Sequence, residues 1–181
     1  MENTQKLKEF SPQAGATGSY VLLLGSDPPE GLGTDYDGSM HVVVTYESKT
    51  GNTENAAKLI AEGLRLAGAT AATFSVDAVD YGELAKADVV IVGTWCGGLF
   101  FFGQHPGGAG KIAAELPDLW DKATFAFVSY AHNPGSAAEK LGDVLEAMGA
   151  VNLGVGTIHR NRLEEDSAAF VNDVLAEFAS A

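Results

Sequence analysis

From His41 onward the chain alternates between two hydrophobic periods. His41-Val42-Val43-Val44-Thr45-Tyr46 is a short apolar run that reads as a strand. Ala57, Ile60 and Leu64 then recur at helical spacing and predict a helix over Thr53–Ala67. Ala71–Ser75 reads as a second strand. Val89-Val90-Ile91-Val92-Gly93 is an unbroken apolar run, as expected of a third strand covered on both faces. The glycine-rich stretch Gly97–Gly110 leads into a short helix around Lys111–Glu115. Thr124–Ser129 is the fourth strand. Ser136-Ala137-Ala138-Glu139 has capping-box spacing. It opens a helix carrying Leu141, Val144, Leu145 and Met148 on one face. Val151–Thr157 is the fifth strand, and Val171, Val174, Leu175 and Phe178 mark the last helix.

Strands alternating with helices predict a doubly wound α/β fold, with five parallel strands and helices on both faces. Ligands of such sheets bind beyond the carboxyl ends of the strands. The loops after strands one, three and four are therefore where chemistry is expected.

The first loop is Ser48-Lys49-Thr50-Gly51-Asn52-Thr53. A helix N-terminus offers free N–H groups and partial positive charge. The hydroxyls of Ser48, Thr50 and Thr53 add donors, and Gly51 permits close backbone approach. This composition predicts a phosphate cradle. It is neither a nucleotide P-loop nor a dinucleotide fingerprint: G-x-x-x-x-G-K-[ST] is absent, and Gly154-Val155-Gly156 lacks its third glycine. An ordinary N-cap with extra hydroxyls is the plainer alternative.

The loop resembles the T/S-x-T-G-x-T phosphate loop of the flavodoxin family, and the likeness runs from about His41 to Phe178. The resemblance implies strand order 2-1-3-4-5 and FMN as cofactor; flavodoxin is a standard example of that order. It implies that Thr94, Trp95, Cys96 and Gly97, after the third strand, meet the flavin ring, with Trp95 stacking on it. Ser129, Tyr130, His132, Asn133 and Gly135, after the fourth, are the corresponding second set. Trp95 packed as core under its loop, and Tyr130 with its hydroxyl in water, are the alternatives. Phe100-Phe101-Phe102 divide between core, ring pocket and docking patch. The chain departs from the family in one respect: neither ring-side loop carries Asp or Glu, whereas His105 and His132 are present. Such a pocket implies a less negative potential for the last reduction of the flavin.

Length and charge narrow the function further. The 181 residues suit one domain with a sizeable core. A net charge of −13 excludes nucleic acid and anionic lipid as expected partners, and suits redox proteins with basic docking faces. The single cysteine, Cys96, fits a reducing compartment, so a cytoplasmic location is expected. No stretch is apolar for the roughly 20 residues of a membrane span. No metal site is expected, because no histidine pair has ligand spacing on a helix. Residues 1–39 lack a period apart from Tyr20-Val21-Leu22-Leu23-Leu24 and read as a flexible or partly docked extension. Gly38-Ser39 ahead of Met40 resembles a cloning scar; a native acidic tail is the alternative. Residues 40–181 form the FMN-binding domain in this reading.

The function expected is a monomeric electron carrier shuttling between redox proteins. Two alternatives stand beside it. One is an FMN-dependent NAD(P)H or quinone reductase, in which His132 or Tyr130 protonates substrate. The other is a hydrolase or amidotransferase-like protein built on Cys96. Thr94-Trp95-Cys96-Gly97-Gly98 resembles a G-x-C-x-G nucleophile elbow with Thr94 replacing its first glycine, and His105 or His132 would be the base.

Overall fold

The computed structural model describes residues 40–99 and 102–180. The expectations for residues 1–39, Phe100 and Phe101 fall outside these residues, as does that for the side chain of Phe102.

Five strands form a parallel sheet: β1 (His41–Tyr46), β2 (Thr70–Ser75), β3 (Val89–Leu99), β5 (Ala123–Tyr130) and β6 (Val151–His159). Their order is β2-β1-β3-β5-β6, which in chain order of the parallel strands is the expected 2-1-3-4-5. The helices are α1 (Asn52–Leu66), α2 (Tyr81–Lys86), α3 (Ala109–Glu115), α4 (Ala137–Ala147) and α5 (Leu163–Ser180). None is long and apolar enough to cross a membrane.

Alternation along the strands explains the two layers. Val42 and Val44 point into one core with Ile60 and Leu64 of α1 and Val174 of α5. Val43 points into the other, with Ile112 of α3 and Leu141 and Leu145 of α4. Val89–Val92 supply both cores in turn, which is why the run is apolar without a break. Gly93 interrupts it because the Phe127 ring of neighbouring β5 occupies the space a Cβ would need.

Two expectations change. The third strand does not stop at Gly93. It continues to Leu99 and pairs antiparallel with a sixth strand, β4 (Phe102–Pro106). The glycines that suggested a loop serve a hairpin. Gly97 lies opposite His105, whose ring sits 2.8 Å from the position a Cβ would take. Gly98 and Gly103 adopt positive φ of 122° and 72°. The capping box at Ser136 is also absent, since its side chain makes no cap bond. The chain enters α4 through a turn in which Ala137 N–H donates to Pro134 O at 3.0 Å, so a backbone carbonyl serves the helix start instead. The short α2 had no periodic signal; the Asp80 side chain caps it, accepting from Gly82 and Glu83 N–H.

Candidate functional site

The carboxyl ends of β1, β3 and β5 bring the three loops to one edge of the sheet. In the first, Gly51 takes φ 86° at the start of α1, a left-handed conformation suited to glycine, with no heavy atom within 4 Å of the position of its missing Cβ. Gly51 N–H donates to Ser48 Oγ at 3.1 Å, and Asn52 Nδ2 donates to Thr50 Oγ1 at 3.1 Å. Both hydroxyl oxygens act as acceptors within the loop, so each keeps its own proton for another acceptor. The first intrahelical bond here runs from Asn55 N–H to Gly51 O. The N–H groups of Asn52, Thr53 and Glu54 have no carbonyl one turn earlier to serve. Lys49 and Thr50 are exposed.

Thr53 behaves differently from the other hydroxyls. It is buried, and its Oγ1 lies 2.8 Å from Ser129 Oγ. What it offers a ligand is its backbone N–H. Ser129 is likewise turned to the interior, so this pair ties the first loop to the third.

The second set stands on the β3–β4 hairpin. Thr94 is buried, and its Oγ1 accepts from Gly108 N–H at 2.9 Å. The Trp95 indole is half-buried and lies against Gly107, where it fills the place of a Cβ. Cys96 is also half-buried. Its Sγ lies 3.5 to 3.7 Å from the carbonyl oxygens of Gly97, Asn133 and Pro134, which casts it as a weak donor. Burial pushes the thiol above its ordinary 9.0; the His105 backbone hydrogen bond and the Lys140 charge oppose this without reversing it. These surroundings favour a protonated thiol, not the thiolate that a nucleophilic elbow requires. His105 Nδ1 lies 2.8 Å from Gly103 O, within its own hairpin.

In the third loop, the Tyr130 ring meets the His159 ring edge-on, with centroids 5.1 Å apart. Asn161 N–H donates to His159 Nδ1 at 3.2 Å, which leaves Nε2 to donate to Ala131 O at 2.9 Å. Asn133 Oδ1 accepts from Gly135 N–H at 2.9 Å, closing an Asx turn. Gly135 has φ 50° and packs against Gln104 of β4. His132 and Asn133 are exposed. Lys140 Nζ reaches Gln104 O at 2.7 Å, fastening α4 to the hairpin.

The carboxylates closest in sequence to the first loop are paired. Glu47 Oε2 lies 2.8 Å from Lys111 Nζ, and Glu54 Oε1 lies 2.6 Å from Lys58 Nζ. The hydrogen bond from Lys58 holds the Glu54 carboxyl below its ordinary range. The edge thus combines N–H and O–H donors with neutralised acids, which suits an anionic group. A separate cleft of about 300 Å³ between β6 and α5 shares Tyr130 and none of the other predicted residues.

Sequence reasoning missed Lys111, Lys140 and His159, which act through contacts distant along the chain. Only Gly107-Gly108, beside Pro106 and ahead of a helix, signalled a close approach.

Three comparisons bear on this edge. A family model described as Flavodoxin matches residues 44–171. A flavodoxin of Clostridium saccharobutylicum is 43% identical over 56 residues, 30% of this chain; the match spans 35% of that relative's length. Among solved structures, a flavodoxin from the domain Archaea superposes with TM-score 0.52 at 20% identity, covering 75% of this chain and 99% of the other. Flavodoxin 1 of Bacillus cereus gives 0.56 at 22%, covering 77% and 97%. A cysteine-to-serine mutant of flavodoxin from Pseudomonas aeruginosa gives 0.58 at 16%, covering 76% and 98%. At these identities the structures establish likeness of fold alone.

Proposed function

The chain belongs to the flavodoxin family, and from that membership we propose that it binds FMN and carries electrons between redox proteins. The observation that carries this reading is the Ser48–Thr53 loop at the start of α1. Its donor set fits a phosphate: the first-turn N–H groups of α1, which lack intrahelical acceptors, the hydroxyl protons of Ser48 and Thr50, and open space beside Gly51. Bound FMN would supply a redox-active ring, and the protein's part is to hold and tune it.

In this reading Ser48, Lys49, Thr50, Gly51, Asn52 and Thr53 hold the phosphate, Thr53 through its backbone. Trp95 and Tyr130 flank the ring. Thr94 and Cys96 hold the ring-side loops in place, the first through Gly108 and the second through the carbonyls of Asn133 and Pro134. Gly97 leaves room for His105, and Gly135 for Gln104. His132 and Asn133 lie where the polar edge of the ring would be reached. The hairpin and third loop lack carboxylates and carry His105, His132 and a Lys140 contact. With no carboxylate there to repel it, negative charge on a ligand is disfavoured less, so the last reduction potential would be less negative than in a carboxylate-lined pocket. The net charge of −13 supports partners with basic faces.

Stopped-flow oxidation of the reduced, FMN-loaded chain by a basic one-electron acceptor such as cytochrome c tests the carrier role. The rate should fall steeply as ionic strength rises. Slow, salt-independent transfer together with rapid NAD(P)H-driven quinone reduction would identify a reductase instead.

A further inference from the structure

Lys111, in α3, serves carboxylates from two different strand ends. Its Nζ lies 2.8 Å from Glu47 Oε2 and 3.2 Å from Asp77 Oδ2. Glu47 follows β1 and directly precedes Ser48. Its backbone N–H donates to Gly93 O at 2.9 Å, and its side chain is only 14% exposed. Asp77 lies just beyond β2 and accepts a further hydrogen bond from Ser75 Oγ. The same helix begins in a tight crevice. Gly108 N–H is held by Thr94 Oγ1, and a Cβ on Gly108 would lie 2.6 Å from Glu47 Cγ as well as overlapping Thr94 Oγ1. Gly107 N–H donates to Trp95 O at 2.8 Å. The start of α3 therefore touches the residue before the phosphate loop on one side and the ring-side strand on the other.

We propose that Lys111 is a positioning residue for FMN binding: by pinning Glu47 against α3 it sets the spacing between the phosphate loop at Ser48 and the ring-side strand at Trp95. The inference rests on the FMN reading above. The two carboxylates reinforce the role, since their hydrogen bonds raise the affinity of Lys111 for its proton and keep the ammonium charged. The helix-surface pair Glu54–Lys58 is different, because both residues of the ion pair stand on one helix, four positions apart.

A simple attraction between the Lys111 charge and the phosphate makes the opposite prediction at Glu47. Glu47 would then repel the phosphate, and Glu47→Gln would tighten FMN. As a clamp, Glu47→Gln must weaken FMN just as Lys111→Met does. The test measures dissociation constants of FMN and riboflavin for the full chain, at fixed salt. The set is wild type, Lys111→Met, Glu47→Gln, their double variant and Lys111→Arg. Lys111→Gln replaces Lys111→Met should that variant fail to fold. Lys111→Met and Glu47→Gln should each lose about tenfold in FMN affinity, with riboflavin changed little. The double variant should be no worse than the singles, and Lys111→Arg should recover binding. Unchanged FMN affinity in Lys111→Met, tighter FMN in Glu47→Gln, or equal losses for FMN and riboflavin would overturn the inference while leaving the FMN reading intact. A wild-type chain that binds neither flavin would overturn both.

Discussion

Thr53 and Ser129 share a 2.8 Å hydroxyl–hydroxyl hydrogen bond in the interior, joining the first turn of α1 to the end of β5. The residues are 1% and 4% exposed, so water cannot replace either partner. Removing one hydroxyl strands the other, at about 1–3 kcal/mol. Thr53→Val should therefore destabilise the fold by roughly that amount in urea unfolding. The double variant with Ser129→Ala should lie closer to wild type than the sum of the singles. Additive losses would mean the two hydroxyls act independently.

Gly107 gives a second prediction. The Trp95 indole occupies the position of its missing Cβ. Gly107→Ala should displace the indole, cost about 1–3 kcal/mol and shift tryptophan fluorescence. Gly110→Ala is the control, since no heavy atom stands within 4 Å of the corresponding position. Equal behaviour of the two variants would show that Trp95 does not depend on Gly107.

Cys96 yields a pH prediction. Burial raises its thiol above the ordinary 9.0, so the thiolate fraction near pH 8 is lower than in an unfolded peptide. Alkylation by iodoacetamide should be slower in the native chain than in urea, and should accelerate at higher pH in the native chain than in urea. The linked stability has the same sign. It is complete below the unfolded thiol pKa and is lost as pH rises through the higher folded value. Native alkylation faster than in urea at pH 7 would revive the nucleophile reading.

On the proposed FMN reading, the hydroxyls of the first loop meet the phosphate and not the ring. Ser48→Ala and Thr50→Ala should each weaken FMN by about 1 kcal/mol, roughly fivefold, while leaving riboflavin nearly unaffected. A matching loss for riboflavin would place these side chains at the ring instead.

The parts of the fold legible in the sequence are those set by local pattern. The valines of β1 and β3 declared strands buried on both faces, and Ile60 and Leu64 declared the inner side of α1. The Ser48–Thr53 loop at the start of α1 was legible because its hydroxyls and Gly51 are contiguous. The hairpin was not. Gly97, Gly98 and Gly103 look like loop residues, and the pairing of Cys96 with Pro106 depends on contacts ten residues apart. The capping spacing at Ser136 misled because the preceding turn through Pro134 already served the helix start. Lys111 and His159 carried no local signal, since their partners Glu47 and Ala131 lie far away in sequence.

The absorption spectrum of the purified full chain decides whether the protein holds FMN. It is recorded before and after incubation with FMN and removal of free flavin, and the released cofactor is identified after denaturation. FMN binding predicts persistent flavin bands and release of FMN rather than FAD. A chain that retains no flavin under either condition would contradict it, and the Ser48–Thr53 loop would then be a helix start with no phosphate to hold.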